Sequence, residues 1–344
     1  MNPKRPTPAQ DILDPQHGVL TTVQLRTCGF TPQAIRHQVE SGAWLRVFRN
    51  VIAVTNGPLS REMTLRAALL YGGRGSMISH DTAAFEWGMT RIDDGPVHVT
   101  VPRGCSAIHQ PAVVRSNLVR PTSSHNAQIH PGVVMHRSLA IEHIGVDFDP
   151  PRTSKPDTAM DLAVAAPSAR EASAILVSAL SAGAVSIATM RRKIELRRPR
   201  RYRQALLDTL TMLADGVQSV LEYRYAVDVE KAHGLPTGRR QAPVHVSGRL
   251  LYEDVEYGPG GLIVRLDGQQ FHSAKQTRFR DRRRDNAAEL AGRASLAFGW
   301  DDVAHDPCGV YRDVRNVLVR EGWDDASYPC ERCVVAWKGA SECT

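Results

Sequence analysis

The run from Leu250 to His272 holds the side chains best suited to chemistry: Asp254, then Asp267-Gly268, then His272, with Glu222 upstream. Carboxylates gathered at one point hold a hard divalent cation, and a nearby imidazole moves protons or stabilises charge. That is the equipment of a metal-dependent phosphodiesterase, in which the cation activates water and offsets charge on the phosphoryl oxygens. Each residue also has a plainer reading. Asp267-Gly268 suits a tight turn. Asp254 can pair with an arginine of the later run Arg278 to Arg284, and His272 can cap that helix or fill a core edge.

These side chains need a small sheet and a helix to bring them together. Leu250 to Tyr257 alternates as a strand, placing Asp254 on the face of Leu250 and Tyr252. Leu262 to Asp267 alternates again, with Leu262, Val264 and Leu266 on one face and Ile263, Arg265 and Asp267 on the other. Val217, Val220, Leu221, Tyr225 and Val229 fit helical spacing up to Gly234, and Glu222 borders that stripe. Ser273 is placed to cap a helix rich in arginine, Leu296-Ala297-Phe298 reads as a short strand, and Val310, Val314, Val317 and Leu318 mark a closing helix.

The chain has 344 residues, enough for two or three domains, with an ordinary globular balance of 42% hydrophobic and 23% charged residues. No window approaches the apolar length of a membrane span, so no membrane partner is expected. Met1 to Pro15 is polar and proline-rich without an apolar stretch, so no signal peptide is expected and the cytoplasm is the default. The net charge of +7 is concentrated. Arg191, Arg192, Lys193, Arg197, Arg198, Arg200, Arg201 and Arg203 stand against Glu195 alone, which accounts for the whole excess. Such a cluster can neutralise phosphates or can simply be a solvated helix and linker.

Cys28, Cys105, Cys308, Cys330, Cys333 and Cys343 are scattered, which does not suggest a disulfide scaffold. Cys330 and Cys333 have CxxC spacing with Cys343 beyond, but the further ligand, Cys308 or His305, falls at irregular distance. That irregularity argues against zinc and for a polar tail of reduced thiols. His80, His98 and His136 share no ligand spacing and read as separate structural or surface histidines.

Residues 17–57 read as a winged helix-turn-helix. A threonine at the end of Gly18–Thr22 caps a short helix over Val23–Arg26, and Thr31-Pro32 starts a second, with Ile35 and Val39 inward. Trp44–Phe48 and Val51–Val54 form β-runs around Arg49-Asn50, the wing. The second helix would enter the major groove of double-stranded DNA with Gln33, Arg36 and His37, while Arg46 and Arg49 meet backbone. A module of this size can also mediate protein contacts alone.

The ordered motifs Gly29-Phe30-Thr31, Gly42-Ala43-Trp44-Leu45-Arg46, Ser79-His80-Asp81-Thr82-Ala83-Ala84, Trp87-Gly88-Met89 and His136-Arg137-Ser138 resemble the N-terminal region of AbiEi-like antitoxins of type IV toxin–antitoxin systems. Ser219-Val220-Leu221-Glu222, Gly234-Leu235-Pro236, Asp254, Leu266-Asp267-Gly268 with His272, and Phe298-Gly299-Trp300 are similar to a Vsr-like, restriction-endonuclease-like domain of the PD-(D/E)XK class. The resemblance implies Mg²⁺ held by Asp254, the carbonyl of Leu266 and Asp267, assisted by His272 and Glu222. It also exposes departures: Arg265 stands where the fused-domain family usually has Glu, and Ala297 and Gly299 stand where it often has Arg and Thr. A guanidinium at 265 would repel a divalent cation unless it reaches outward to phosphate.

The expected fold is therefore α+β or α/β and multidomain. A flexible segment 1–16 precedes a winged helix-turn-helix 17–57, a mixed α/β domain 58–150, a helical basic connector 151–215, a restriction-endonuclease-like α/β domain 216–323 and a cysteine-containing tail 324–344. The expected function is DNA binding with metal-dependent DNA cleavage. The alternative is a non-catalytic antitoxin and transcriptional autoregulator with a degenerate nuclease domain and a cognate toxin as partner.

Overall fold

A computed structural model describes residues 16–114, 128–246, 249–258, 261–267, 286 and 288–334. The chain divides into two units, one of Met1–Ala166 with Arg192–Pro199, the other of Pro167–Arg191 with Arg200–Thr344. Both mix helices and sheets, as expected of an α+β protein. Among the described residues no helix is long and apolar enough to cross a membrane.

The first unit opens with β1 (Val19–Thr21), α1 (Thr22–Thr27), α2 (Pro32–Glu40), β2 (Leu45–Phe48) and β3 (Val51–Ala53). Thr21 and Gln24 form a reciprocal capping box at α1, and Thr31 caps α2 with Pro32 in its first turn. The strands pair antiparallel in the order β1-β3-β2. Strand alternation splits the sheet's apolar residues between two cores. Leu20 and Ile52 pack with Leu25, Phe30, Ile35 and Trp44 around the two helices. Val19, Leu45, Val47, Val51 and Ala53 instead join the core of the following segment.

That segment holds α3 (Arg61–Gly72), β4 (Met77–Ile78), α4 (His80–Glu86), β5 (Val97–Pro102), β6 (Val113–Val114), β7 (Gln128–His130), β8 (Val133–Ser138), α5 (Ile141–Ile144), β9 (Gly145–Val146), β10 (Arg152–Thr153) and α6 (Lys155–Ala165). Its main sheet runs β8-β5-β4-β10-β9, with β5 parallel to β8 and β4 antiparallel to β5. Residues 17–57 and 58–150 thus share one core.

The second unit contains α7 (Ala169–Ser181), α9 (Arg203–Ala214) and α10 (Val220–Arg224), the last continuing as a π-helical turn over Tyr225–Lys231; α8 (Ile187–Arg197) spans the division between units. Four strands follow: β11 (Arg239–Val246), β12 (Arg249–Glu256), β13 (Ile263–Asp267) and β14 (Ser295–Gly299). The first three form an antiparallel meander and β14 joins parallel to β13, giving the order β11-β12-β13-β14. Helices α11 (Trp300–His305) and α12 (Pro307–Arg320) close the unit. Leu221, Tyr225 and Val229 pack with Val255, Val264, Leu266 and Phe298 and with Val303, Val310, Val314 and Leu318. Side chains of this size each contribute about 1.5–3 kcal/mol when fully buried, which fixes α10 firmly against the meander. The arginine-rich helix expected after Ser273 lies outside the described residues.

Candidate functional site: an acidic edge on the second sheet

Glu222 occupies the third position of α10, where it serves its own helix. Ser219 caps the helix, its Oγ accepting the Glu222 N–H at 3.1 Å and donating to Glu222 Oε1 at 3.1 Å. The Gln218 N–H donates to Oε2 at 3.0 Å. The serine cap is thus answered by the carboxylate, which reaches back to the cap hydroxyl and to the N–H of the residue before it. It holds the carboxylate in place although the residue is only 6% exposed. Burial raises the Glu222 carboxyl above its ordinary range, the Gln218 bond opposes this, and the negative charge of Asp254 adds to the rise.

Asp254 is half-buried on β12. Its Oδ2 accepts the Leu266 N–H of β13 at 2.8 Å. Asp254 thus meets the Leu266 backbone at its N–H, whereas the expected shared cation involves the Leu266 carbonyl. One helical turn or three strand residues further on, a buried network ties the two elements. The hydroxyls of Tyr225 and Tyr257 lie 2.8 Å apart, and Tyr257 donates to Glu230 Oε1 at 2.5 Å. Arg240 neutralises Glu230, whose carboxyl burial would otherwise raise further. All of Tyr225, Tyr257 and Glu230 are buried, so the network sets the depth of α10 against β12 and hence of Glu222 against Asp254.

Arg265 corrects one expectation. Its guanidinium does not reach outward: the residue is 7% exposed and its Nε donates to Glu253 Oε2 at 3.1 Å. Glu253 is itself buried, so the pair is a compensated interior ion pair rather than a phosphate contact. Asp267 is exposed at the end of β13, in register with Gly299 of β14. His272 lies outside the described residues.

The donor set is all oxygen, two carboxylates with one buried and one half-buried, which fits a hard cation such as Mg²⁺. A buried carboxyl held above its ordinary range, with a second acid adding to the rise, is what such a cation relieves.

The five residues expected to read DNA are all exposed. Gln33, Arg36 and His37 share the outer face of α2, opposite the buried Ile35. Arg46 on β2 and Arg49 in the turn before β3 are exposed as well. Asn50 takes the left-handed conformation in that turn (φ 63°), and its carbonyl accepts the Thr22 N–H at 2.9 Å, tying the wing to α1.

The basic run is only partly a solvated face. Lys193 Nζ bonds Asp157 Oδ2 at 2.6 Å, and Arg197 bonds Asp157 at 3.2 Å and Asp161 at 2.7 Å. Those two cations neutralise buried acids of α6. Arg192, Arg198, Arg200, Arg201 and Arg203 remain exposed.

Two clusters escaped the sequence. His80, His98 and His136 are not separate: the His80 and His136 rings stack at 3.6 Å, and His98 Nδ1 lies 3.0 Å from His136 Nε2. Parallel pairing of β5 with β8 sets His98 opposite Val134, two residues before His136, and His80 opens α4 just after β4. Burial, followed by mutual repulsion, lowers His80 to about 2 and His136 to about 4. The second cluster completes the CxxC pair with Cys308, one of the ligands considered, and with His233, which was not. Cys343 lies outside the described residues.

No model of a known protein family matches the chain, and no curated protein matches it.

Proposed function

We propose that this chain binds double-stranded DNA through its first unit and cleaves it at a divalent-cation seat on the second. The observation that carries this reading is the packing of α10, with the buried Glu222, against the meander whose β12 bears Asp254 bonded to the Leu266 N–H, the Asp254 charge adding to the rise of the Glu222 carboxyl. A helix, an antiparallel meander and a further parallel strand form the frame of restriction-endonuclease-like folds, in keeping with the Vsr-like resemblance. In this reading Asp254 and Glu222 hold Mg²⁺, together with the Leu266 carbonyl and Asp267. The cation supplies Lewis acidity and a water of lowered pKa. The Leu266 N–H orients the Asp254 carboxylate, and the Ser219 and Gln218 donors orient Glu222. Glu253 holds the Arg265 guanidinium, which limits its repulsion of a cation beside Asp254. His272 is assigned the proton-transfer role by resemblance alone.

The β1-α1-α2-β2-β3 arrangement with sheet order β1-β3-β2 supports a winged helix, with α2 in the major groove and the Arg46 and Arg49 side chains on phosphate. The full engagement of the Glu222 carboxylate by its own helix cap favours a second reading, an AbiEi-like antitoxin and autoregulator that binds DNA without cutting it. Plasmid incubated with Mg²⁺ or Mn²⁺ separates the two. The nuclease reading expects nicking that falls at least about 100-fold in Asp254→Ala. Equal plasmid profiles for both proteins would leave the regulator standing.

A further inference from the structure

A second constellation in the same unit has a different chemistry. Cys308 Sγ lies 3.6 Å from Cys330 Sγ, Cys330 Sγ 3.8 Å from Cys333 Sγ, and Cys333 Sγ 3.6 Å from His233 Nε2. The four ligand atoms all lie within 4.8 Å of one another. A disulfide would bring two sulfurs to about 2.05 Å, so these separations are not those of a bond. A tetrahedron around zinc, with Zn–S of about 2.3 Å and Zn–N of about 2.0 Å, has edges of about 3.8 Å between sulfurs and about 3.5 Å from sulfur to nitrogen. Three of the six edges, at 3.6, 3.8 and 3.6 Å, match that figure, and the other three stay within 4.8 Å.

The surroundings are prepared in the same sense. His233 is fully buried, and its Nδ1 lies 3.0 Å from the Val229 carbonyl. That bond makes Nδ1 the donor and turns the Nε2 lone pair toward the sulfurs, as the outer partner of a metal-binding histidine does. The ring stacks on Tyr311 at 4.1 Å with 8° between planes, which fixes its orientation. Tyr328 N–H donates to the His233 carbonyl at 3.0 Å, bringing the chain round so that Cys330 and Cys333 face the ring. Cys308 comes from the first turn of α12. The other cluster of the described residues, the three imidazoles of the first unit, is held by the His98–His136 hydrogen bond and the stacking of His80 on His136 and offers no thiolate.

We propose that His233, Cys308, Cys330 and Cys333 bind a single structural Zn²⁺ in a closed Cys₃His site. Three thiolates and an imidazole select zinc over magnesium, and four protein ligands leave no open position for substrate, so the ion is structural. It clamps the segment around Cys330 to α12 and to the end of the π-helical turn. That turn continues the helix bearing Glu222, so the clamp steadies the acidic edge without entering it. The inference stands whether or not the acidic edge cleaves DNA.

The test is the metal content of the full chain, purified without chelator and measured by plasma mass spectrometry. The expected result is about one zinc per chain, lost in Cys330→Ser and kept in Cys28→Ser and in His233→Cys, which preserves four ligands. Replacement by Co²⁺ in the wild type should give the intense visible bands of a tetrahedral thiolate site, a readout that does not depend on any variant folding. A folded, zinc-free wild type with no Co²⁺ bands, or with a Cys308–Cys330 or Cys330–Cys333 disulfide by peptide mapping, would overturn the proposal. So would zinc retained in both Cys330→Ser and His233→Ala.

Discussion

Two pairs of acids, one in each unit, are treated differently. In the first, Asp157 and Asp161 project from α6 onto Lys193 and Arg197, so formal charge is cancelled inside the protein. In the second, Glu222 takes its hydrogen bonds from a serine hydroxyl and a backbone N–H, and Asp254 takes one from the Leu266 N–H. A buried acid matched by fixed cations is finished as a structural element. Glu222 is buried, bonded by neutral donors and held above its ordinary range, with Asp254 adding to that rise and Arg240 opposing it; a bound cation would relieve it. The contrast supports the proposal that puts chemistry on the second unit.

The largest expected effect tests the finished pair. Asp157→Asn leaves Lys193 and Arg197 without their buried partner and should destabilise the first unit by about 3–5 kcal/mol. Peptide-resolved hydrogen exchange over α6 would show it. The same swap at Glu222, to Gln, should move the second unit by no more than about 1 kcal/mol, because the cap bonds can persist. Equal losses at the two positions would erase the contrast.

The sign of the pH dependence sharpens it. Burial raises the Glu222 carboxyl above the unfolded value of 4.5. Its contribution is therefore complete below that pH and is lost as pH rises through the raised folded value. Glu222→Gln should remove that decline, and Mg²⁺ should reduce it in the wild type alone, as followed by unfolding of the second unit between acid and neutral pH. The histidines of the first unit act in the opposite direction. His136 and His80 are lowered to about 4 and about 2 from 6.5, so they are neutral in the fold. Their contribution is complete above pH 6.5 and is lost as pH falls toward those values, opposed locally by Asp81 near His98 and reinforced by His109 and Arg197. Acid titration should open the first unit first, with exchange in β5 and β8 as the readout.

A separate effect concerns DNA. Arg36→Ala on α2 should weaken operator binding by about 1–3 kcal/mol if it contacts a base, and Arg49→Ala should chiefly lower the salt dependence by about one unit of slope. Gel shifts at two salt concentrations distinguish these. Binding indifferent to Arg36 would remove α2 as the reading helix.

Much of this was legible because it is local. Thr31-Pro32 announces α2, and the alternation of Leu250–Tyr257 and Leu262–Asp267 announces β12 and β13. Strand β11 was hidden by Pro243, which argues against a strand interior; β11 is an edge strand, where a missing N–H is tolerated. Glu222 looked like a border residue because its role as a cap partner depends on Ser219 turning back, not on apolar spacing. The histidine cluster was invisible because parallel pairing of β5 and β8 joins residues 38 apart, which no short motif encodes. His233 and Cys333 are 100 residues apart, so the CxxC pair looked incomplete. The pairing of Arg265 with Glu253 was hidden because the partner lies on the neighbouring strand.

Mn²⁺ binding, followed by the loss of free-ion signal in electron paramagnetic resonance, tests the acidic edge most directly. The account predicts a site in the wild type whose affinity falls at least about tenfold in both Asp254→Asn and Glu222→Gln, with the fold intact. Mn²⁺ binding unchanged in both variants, or no binding by the folded wild type with duplex DNA present, would contradict it.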